Sequence, residues 1–95
     1  MIRHIVLCTF TDSATPERVE QIRTELAQLG CPGRTSFTMG PDLGLREGNM
    51  DVAIVADFTD IAAYQAYDVD PAHDQIRREL IAPIVARTER CQFEM

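Results

Sequence analysis

From Ile2 to Phe10 the chain reads Ile-Arg-His-Ile-Val-Leu-Cys-Thr-Phe. This β-rich run is bounded by Thr11-Asp12-Ser13, so it predicts a first strand. One face carries Ile2, His4, Val6, Cys8 and Phe10, and the other carries Ile5 and Leu7. Apolar residues on both faces mark a strand that is covered on both sides. Thr15-Pro16 then opens a helix, with Thr15 as cap and Pro16 in the first turn. Val19, Ile22, Leu26 and Leu29 follow at helical spacing, and Gly30 ends the stripe.

The second half repeats the logic. Arg34–Gly40 predicts a second strand with Phe37 and Met39 as its large apolar residues, and the Pro/Gly-rich stretch 41–50 predicts a loop. Asp51–Phe58 predicts a third strand, with Val52, Ile54, Ala56 and Phe58 on one face and Ala53 and Val55 on the other. Asp60 caps a short helix bearing Ile61, Tyr64 and Tyr67. Asp70-Pro71 starts another, with His73, Ile76 and Leu80 in its stripe and a kink or separate turn from Pro83 through Ala86. Thr88–Phe93 predicts a last strand, with Cys91 and Phe93 sharing a face. The order is β-α-β-β-α-β, an α+β, ferredoxin-like plan in which a four-stranded antiparallel sheet carries the helices on one face. Strands one and three are apolar on the other face as well. A bare apolar sheet face marks an interaction surface, so a two-fold homodimer paired through the sheets is expected.

Size sharpens that expectation. The chain has 95 residues, 45% of them apolar, which predicts one domain over residues 1–95. A chain this short buries only roughly 60–65% of its unfolded surface alone. Its 9 basic residues, all Arg, stand against 15 acidic ones, for a formal charge of −6. Such a field repels phosphate backbones and anionic lipid surfaces, so neither nucleic acid nor membrane is an expected partner. Cys8, Cys31 and Cys91 are odd in number and widely spaced, which makes neither a disulfide framework nor a zinc site. Met1–His4 leads into an apolar stretch too short to span a bilayer, and a cytoplasmic location with reduced thiols is expected.

Candidate chemistry is sparse. His73 shares a helix side with Ile76 and Leu80, so its ring is expected to point inward. Tyr67 lies six residues earlier, across the Asp70-Pro71 break. The turn there could bring the phenol hydroxyl beside the imidazole, an acid–base pair near neutral pH. The structural alternative is equally concrete: a histidine near a helix start bonds to backbone or fills a polar gap, and Tyr67 is an amphipathic core residue. His4 falls at the end of the sheet, where it lines a cavity or meets solvent. Cys8 is expected as a buried, inert thiol. The 40–48 glycines lack phosphate-loop spacing, and no metal constellation emerges.

Ile2-Arg3-His4-Ile5-Val6-Leu7, Gly40-Pro41-Asp42-Leu43-Gly44, the strand 51–58, and Tyr67 followed by Asp70-Pro71-Ala72-His73 together resemble the stress-response A/B barrel (Dabb) family over essentially the whole chain. The resemblance implies a protomer that dimerises through its sheets into a dimeric α/β barrel. Many members have no assigned activity. One plant member is a polyketide cyclase whose acid–base pair is a tyrosine and the histidine of a Pro-Ala-His motif. Tyr67 and His73 match that pair at the same spacing, and His4 matches a further pocket histidine. Leu26 stands where that cyclase has a tyrosine, and Val52 near where it has a second pocket histidine, so the polar lining is thinner here. The expected function is a small dimeric protein of unassigned biochemical role that holds a small apolar ligand between helices and sheet. The alternatives are a polyketide-cyclase-like enzyme working through Tyr67 and His73, and, by fold analogy, a cofactor-free monooxygenase of the related dimeric barrel type. None of these readings requires a cofactor.

Overall fold

Helix starts follow from side-chain acceptors placed before proline or a small residue. The computed structural model describes residues 1–95. In chain order it contains β1 (Ile2–Phe10), α1 (Pro16–Gln28), β2 (Arg34–Pro41), β3 (Val52–Phe58), α2 (Ile61–Asp68), α3 (Pro71–Ile76), a π-helical turn (Arg77–Ile81) and β4 (Val85–Glu94). Thr15 accepts from the Arg18 amide at 3.1 Å, Asp60 from Ala63 at 2.8 Å and Asp70 from His73 at 3.0 Å. Each bond satisfies an amide that its helix leaves unpaired, a contribution of about 1 kcal/mol apiece. Through the last of them, the cap of α3 holds the backbone of His73.

The second crossover is more broken than the sequence pattern predicts. The stripe His73–Ile76–Leu80 is helical, but past Ile76 the winding widens. The Ala82 amide donates to the Arg77 carbonyl, five residues back, at 2.8 Å. Pro83, with no N–H to continue the ladder, follows at once. β4 begins at Val85 and not at Thr88. Val85 pairs with Phe10 across a bulge between Thr9 and Phe10, and the Thr11 amide donates to the Ile84 carbonyl at 2.8 Å. Val85 and Ala86, expected in a turn, therefore belong to the strand, as does Arg87. At the other boundary Asp51 lies just outside β3. Its amide donates to the Cys8 carbonyl and its carboxylate accepts from the Phe10 amide at 2.7 Å, which ties the loop 42–51 to the end of β1.

The four strands form one antiparallel sheet in the order β2-β3-β1-β4. This is the ferredoxin-like α+β plan, with the second helix of the plan split into the two segments expected from the Asp60 and Asp70 caps. Period-two alternation divides its faces. On the helix side lie two groups of core residues. One is aliphatic and built from Ile22, Leu26, Ile54, Ile76 and Ile84. The other is Ile2, Ala56, Phe58 and Tyr67. The turn 31–33 closes against α2 through Gly33, whose φ is +87°; a Cβ there would come within 2.6 Å of the Ala63 Cβ.

The opposite face has no cover within the chain. Ile5 pairs with Val55 and Cys91, Leu7 with Ala53, and Arg3 with Phe93. Leu7 remains 36% exposed and Phe93 44%. Two charged pairs interrupt this face: Arg87 with Glu89, which lies opposite Leu7, and Arg3 with Asp57. Arg3 grips Asp57 with two arms, at 2.8 and 2.9 Å, and Ser36 donates to the same carboxylate at 2.9 Å. The hydrogen bonds from Arg3, with a further one from Ser36, hold the Asp57 carboxyl below the usual carboxylate range. No helix is long and apolar enough to cross a membrane.

Candidate functional site

Register brings the histidines to one place. His4 of β1 lies opposite Ala56 on β3 and Gln92 on β4. His73 sits one turn into α3, and Tyr67 near the end of α2. All three are buried, and all three line one partly open cavity of about 80 Å³ between the sheet and the helices. Leu26 and Ile54 form part of its apolar wall. Leu26, where the resemblance points to a missing tyrosine, is thus a wall residue of this same cavity. Val52 does not line it.

The contact between Tyr67 and His73 differs from the expected hydroxyl–imidazole approach. The two rings stack face to face, with centroids 3.9 Å apart and planes at 21°. The imidazole is bonded elsewhere: its Nδ1 lies 2.9 Å from the backbone carbonyl oxygen of Tyr67. A carbonyl only accepts, so the ring proton resides on Nδ1 and the lone pair on Nε2. The backbone-bonding role weighed for His73 from sequence is therefore filled by Nδ1, and Nε2 is left without a protein partner.

His4 has the complementary arrangement. The Gln92 side-chain amide donates to its Nδ1 at 2.9 Å, which places the proton of the neutral ring on Nε2. Its ring packs 5.0 Å from Tyr64 and 6.2 Å from Tyr67. The hydroxyl of Tyr67, Nε2 of His73 and Nε2 of His4 have no partner within the protein, yet no fully buried side-chain nitrogen or oxygen lacks one. Each of these three atoms therefore keeps some access to solvent.

Burial tunes all three groups to be neutral. Desolvation, then the nearby His73, lowers the His4 pKa to about 4. Desolvation likewise lowers that of His73, against a raising contribution from its bond to Tyr67. Burial pushes the Tyr67 phenol up to about 12. At neutral pH these residues thus carry one unpartnered proton acceptor, His73 Nε2, and two unpartnered donors, His4 Nε2–H and Tyr67 O–H. Cys8, also on the cavity wall, has its thiol pKa raised by burial, and its Sγ lies 3.9 Å from the Thr88 hydroxyl. It is the buried thiol expected from sequence, without the features of a nucleophile.

Sequence reasoning missed the charged part of the lining, Asp68, Arg77 and Arg90. Arg77 is carried inward by the π-helical turn and bonds the Asp68 carboxylate at 3.2 Å and the Asp68 carbonyl at 2.6 Å. Arg90 faces the cavity because it pairs with Val6 of β1. That register was not readable from the strand's own sequence.

A model of the stress responsive A/B barrel domain matches residues 2–95. The chain belongs to this Dabb family. Among solved structures it is similar to a dimeric ferredoxin-like protein of unknown function from Thermobifida fusca YX. That match has 38% identity and a TM-score of 0.89, and covers 99% of this chain and 90% of that one. A Dabb family protein from Mesorhizobium loti MAFF303099 shares the fold at 20% identity and a TM-score of 0.80, over 99% of this chain and 95% of that one. So does a hydroxynitrile lyase from Passiflora edulis, at 19% identity and a TM-score of 0.86, over 99% and 92% respectively. No curated protein sequence matches this Dabb chain.

Proposed function

We propose that this Dabb protein works as a homodimer and that its cavity is an acid–base site for a small carbonyl compound. The observation that carries the chemical half is the Nδ1 bond of His73. It commits the proton to the backbone side and leaves the Nε2 lone pair for substrate, beside two neutral donors. In the simplest step, Nε2 of His73 takes the proton from the carbon next to a carbonyl. The C–H electron pair moves into the new C=C bond, and the carbonyl π pair moves onto oxygen. His4 Nε2–H and Tyr67 O–H stabilise that oxyanion. His73 then returns the proton to carbon or to the product.

The cavity changes the expected ligand. A water needs about 10–15 Å³ of such space, so 80 Å³ admits roughly five small groups. That is short of a linear polyketide chain, and six of the twelve lining residues are polar or charged, so a guest with an apolar body and a few polar atoms fits it. A hydroxynitrile lyase on this fold makes lyase chemistry compatible with the architecture, but carries no residue over. The monooxygenase alternative rests on fold analogy alone.

The dimer half rests on the open sheet face and on the dimeric relative from Thermobifida fusca. Only 14 of 95 residues are buried in the single chain, a small core for its apolar content. A second copy placed on Ile5, Leu7, Val55 and Phe93 supplies the missing cover.

The test is proton exchange. Hydroxyacetone incubated in D2O with the protein should gain deuterium next to its carbonyl faster than with buffer alone. His73→Gln should bring the rate to background while circular dichroism and dimer mass by light scattering stay unchanged. Exchange equal to wild type in His73→Gln removes the base from the mechanism, and a monomer at micromolar concentration removes the dimer.

A further inference from the structure

The charged lining of the cavity is unevenly neutralised. Arg3, Arg23, Arg77, Arg78 and Arg87 each meet a carboxylate, and Arg18 and Arg34 donate to backbone carbonyls. Of the nine arginines this leaves Arg46, out on the loop 42–51, and Arg90, on the cavity wall. Asp68 also lines the cavity, but its charge is answered by Arg77 at 3.2 Å. Arg90 is therefore the one uncompensated charge there. It is close enough for its field to be felt at His4 and Cys8 of β1 and at Tyr64 of α2. In a chain with 15 acidic residues, a guanidinium left without a carboxylate at the mouth of a cavity is an open two-armed donor site for an anion.

We propose that the ligand of this cavity is a small oxo-carboxylate. Its carboxylate bridges to Arg90, and its carbonyl oxygen meets His4 Nε2–H and Tyr67 O–H. This deepens the acid–base reading and rests on it, since that reading supplies the carbonyl. Three features converge. The free guanidinium calls for a planar anion that accepts two parallel bonds. The two neutral donors call for a carbonyl oxygen and not a second anion. The volume of about 80 Å³ restricts the acid to about three or four carbons. The net charge of −6 opposes an anion at long range, so recognition comes from contact inside the cavity and not from steering.

Pyruvate and its methyl ester separate the two levels of the proposal, because they share the ketone and differ in the charge. Binding is followed on the dimer by calorimetry and by the chemical shifts of the His4 and His73 rings. Pyruvate is expected to bind and to move both rings, with the ester at least about tenfold weaker. Arg90→Gln is expected to weaken pyruvate at least about tenfold and to leave the ester unchanged. If ester and acid bind alike, or Arg90→Gln binds pyruvate as wild type does, the oxo-carboxylate assignment is wrong while the carbonyl site stands. If neither probe moves the histidine rings and hydroxyacetone exchange is also at background, both the assignment and the acid–base reading fall. If exchange persists without pyruvate binding, the assignment alone falls.

Discussion

The two core groups on the helix side of the sheet pack against the same strands, but they hold different chemistry. The aliphatic group, Ile22 with Leu26, Ile54, Ile76 and Ile84, contains no polar atom in its side chains. The group of Ile2, Ala56, Phe58 and Tyr67 is joined at its rim by Tyr64 and His4. Phe58, fully buried, packs edge-on to Tyr64 at 5.7 Å and tilted on Tyr67 at 5.1 Å. Aliphatic side chains fill volume, whereas rings also fix planes, and planes are what aim a hydroxyl or a ring nitrogen. The aliphatic end stabilises the fold and lends Leu26 and Ile54 to the apolar wall of the cavity. The aromatic end also stabilises the fold and fixes the ring planes of Tyr67 and its neighbours.

The sharpest way to break this comparison is Phe58→Ala. It should cost about 3–5 kcal/mol in denaturant unfolding. Hydroxyacetone exchange should also fall in the fraction that remains folded, because both tyrosine rings lose their backing. Exchange at the wild-type rate per folded molecule would deny the aromatic group any role beyond packing. Next in size is Gly33→Ala, expected to cost about 2–4 kcal/mol. Its positive φ disfavours a side chain, and the added Cβ overlaps Ala63 of α2. A melting temperature unchanged from wild type would show that the turn and α2 give way freely.

Acid should unfold the aromatic end before any carboxylate effect appears. The folded pKa of His4, about 4, lies below its ordinary 6.5, and that of His73 is lowered too. As pH falls below 6.5 the unfolded chain takes up protons that the folded one refuses. Stability is therefore full above pH 6.5 and declines toward pH 4. The slope is at most about 1.4 kcal/mol per pH unit for each histidine. Asp57, whose folded pKa is lowered, contributes in the same sense only as the pH passes below the ordinary carboxylate value near 3.8. Urea unfolding of His4→Gln across this range should show a flatter profile than wild type, and an identical slope would contradict the burial argument. Smallest is Ile22→Val, with a loss of about 0.5–1.5 kcal/mol and no change in exchange. A drop in exchange from so distant a methyl group would mean that the two ends are not separable.

Much of this was legible from residue order. Thr15, Asp60 and Asp70 mark helix starts because an acceptor before a first turn has one favourable use. The two apolar faces of β1 were readable from Ile5 and Leu7 alone. His4, Tyr67 and His73 could be gathered by their positions in a known plan. The remainder depends on pairings between distant segments. Arg90 faces the cavity through its register with Val6, and Val85 joins β4 through a bulge opposite Phe10. Neither is a property of the local sequence. The widening of the helix at Arg77 depends on hydrogen bonds five residues apart, which leave no period in the hydrophobic pattern.

The bond from His73 Nδ1 to the Tyr67 carbonyl has a genetic consequence. The atom that sets the tautomer belongs to the backbone, so no substitution at position 67 removes it while α2 keeps its course. Replacing the phenol alters the stacking ring and one donor but leaves the base oriented. Under the proposed function, recognition can drift at positions 4, 67 and 90 while the backbone keeps the His73 ring oriented.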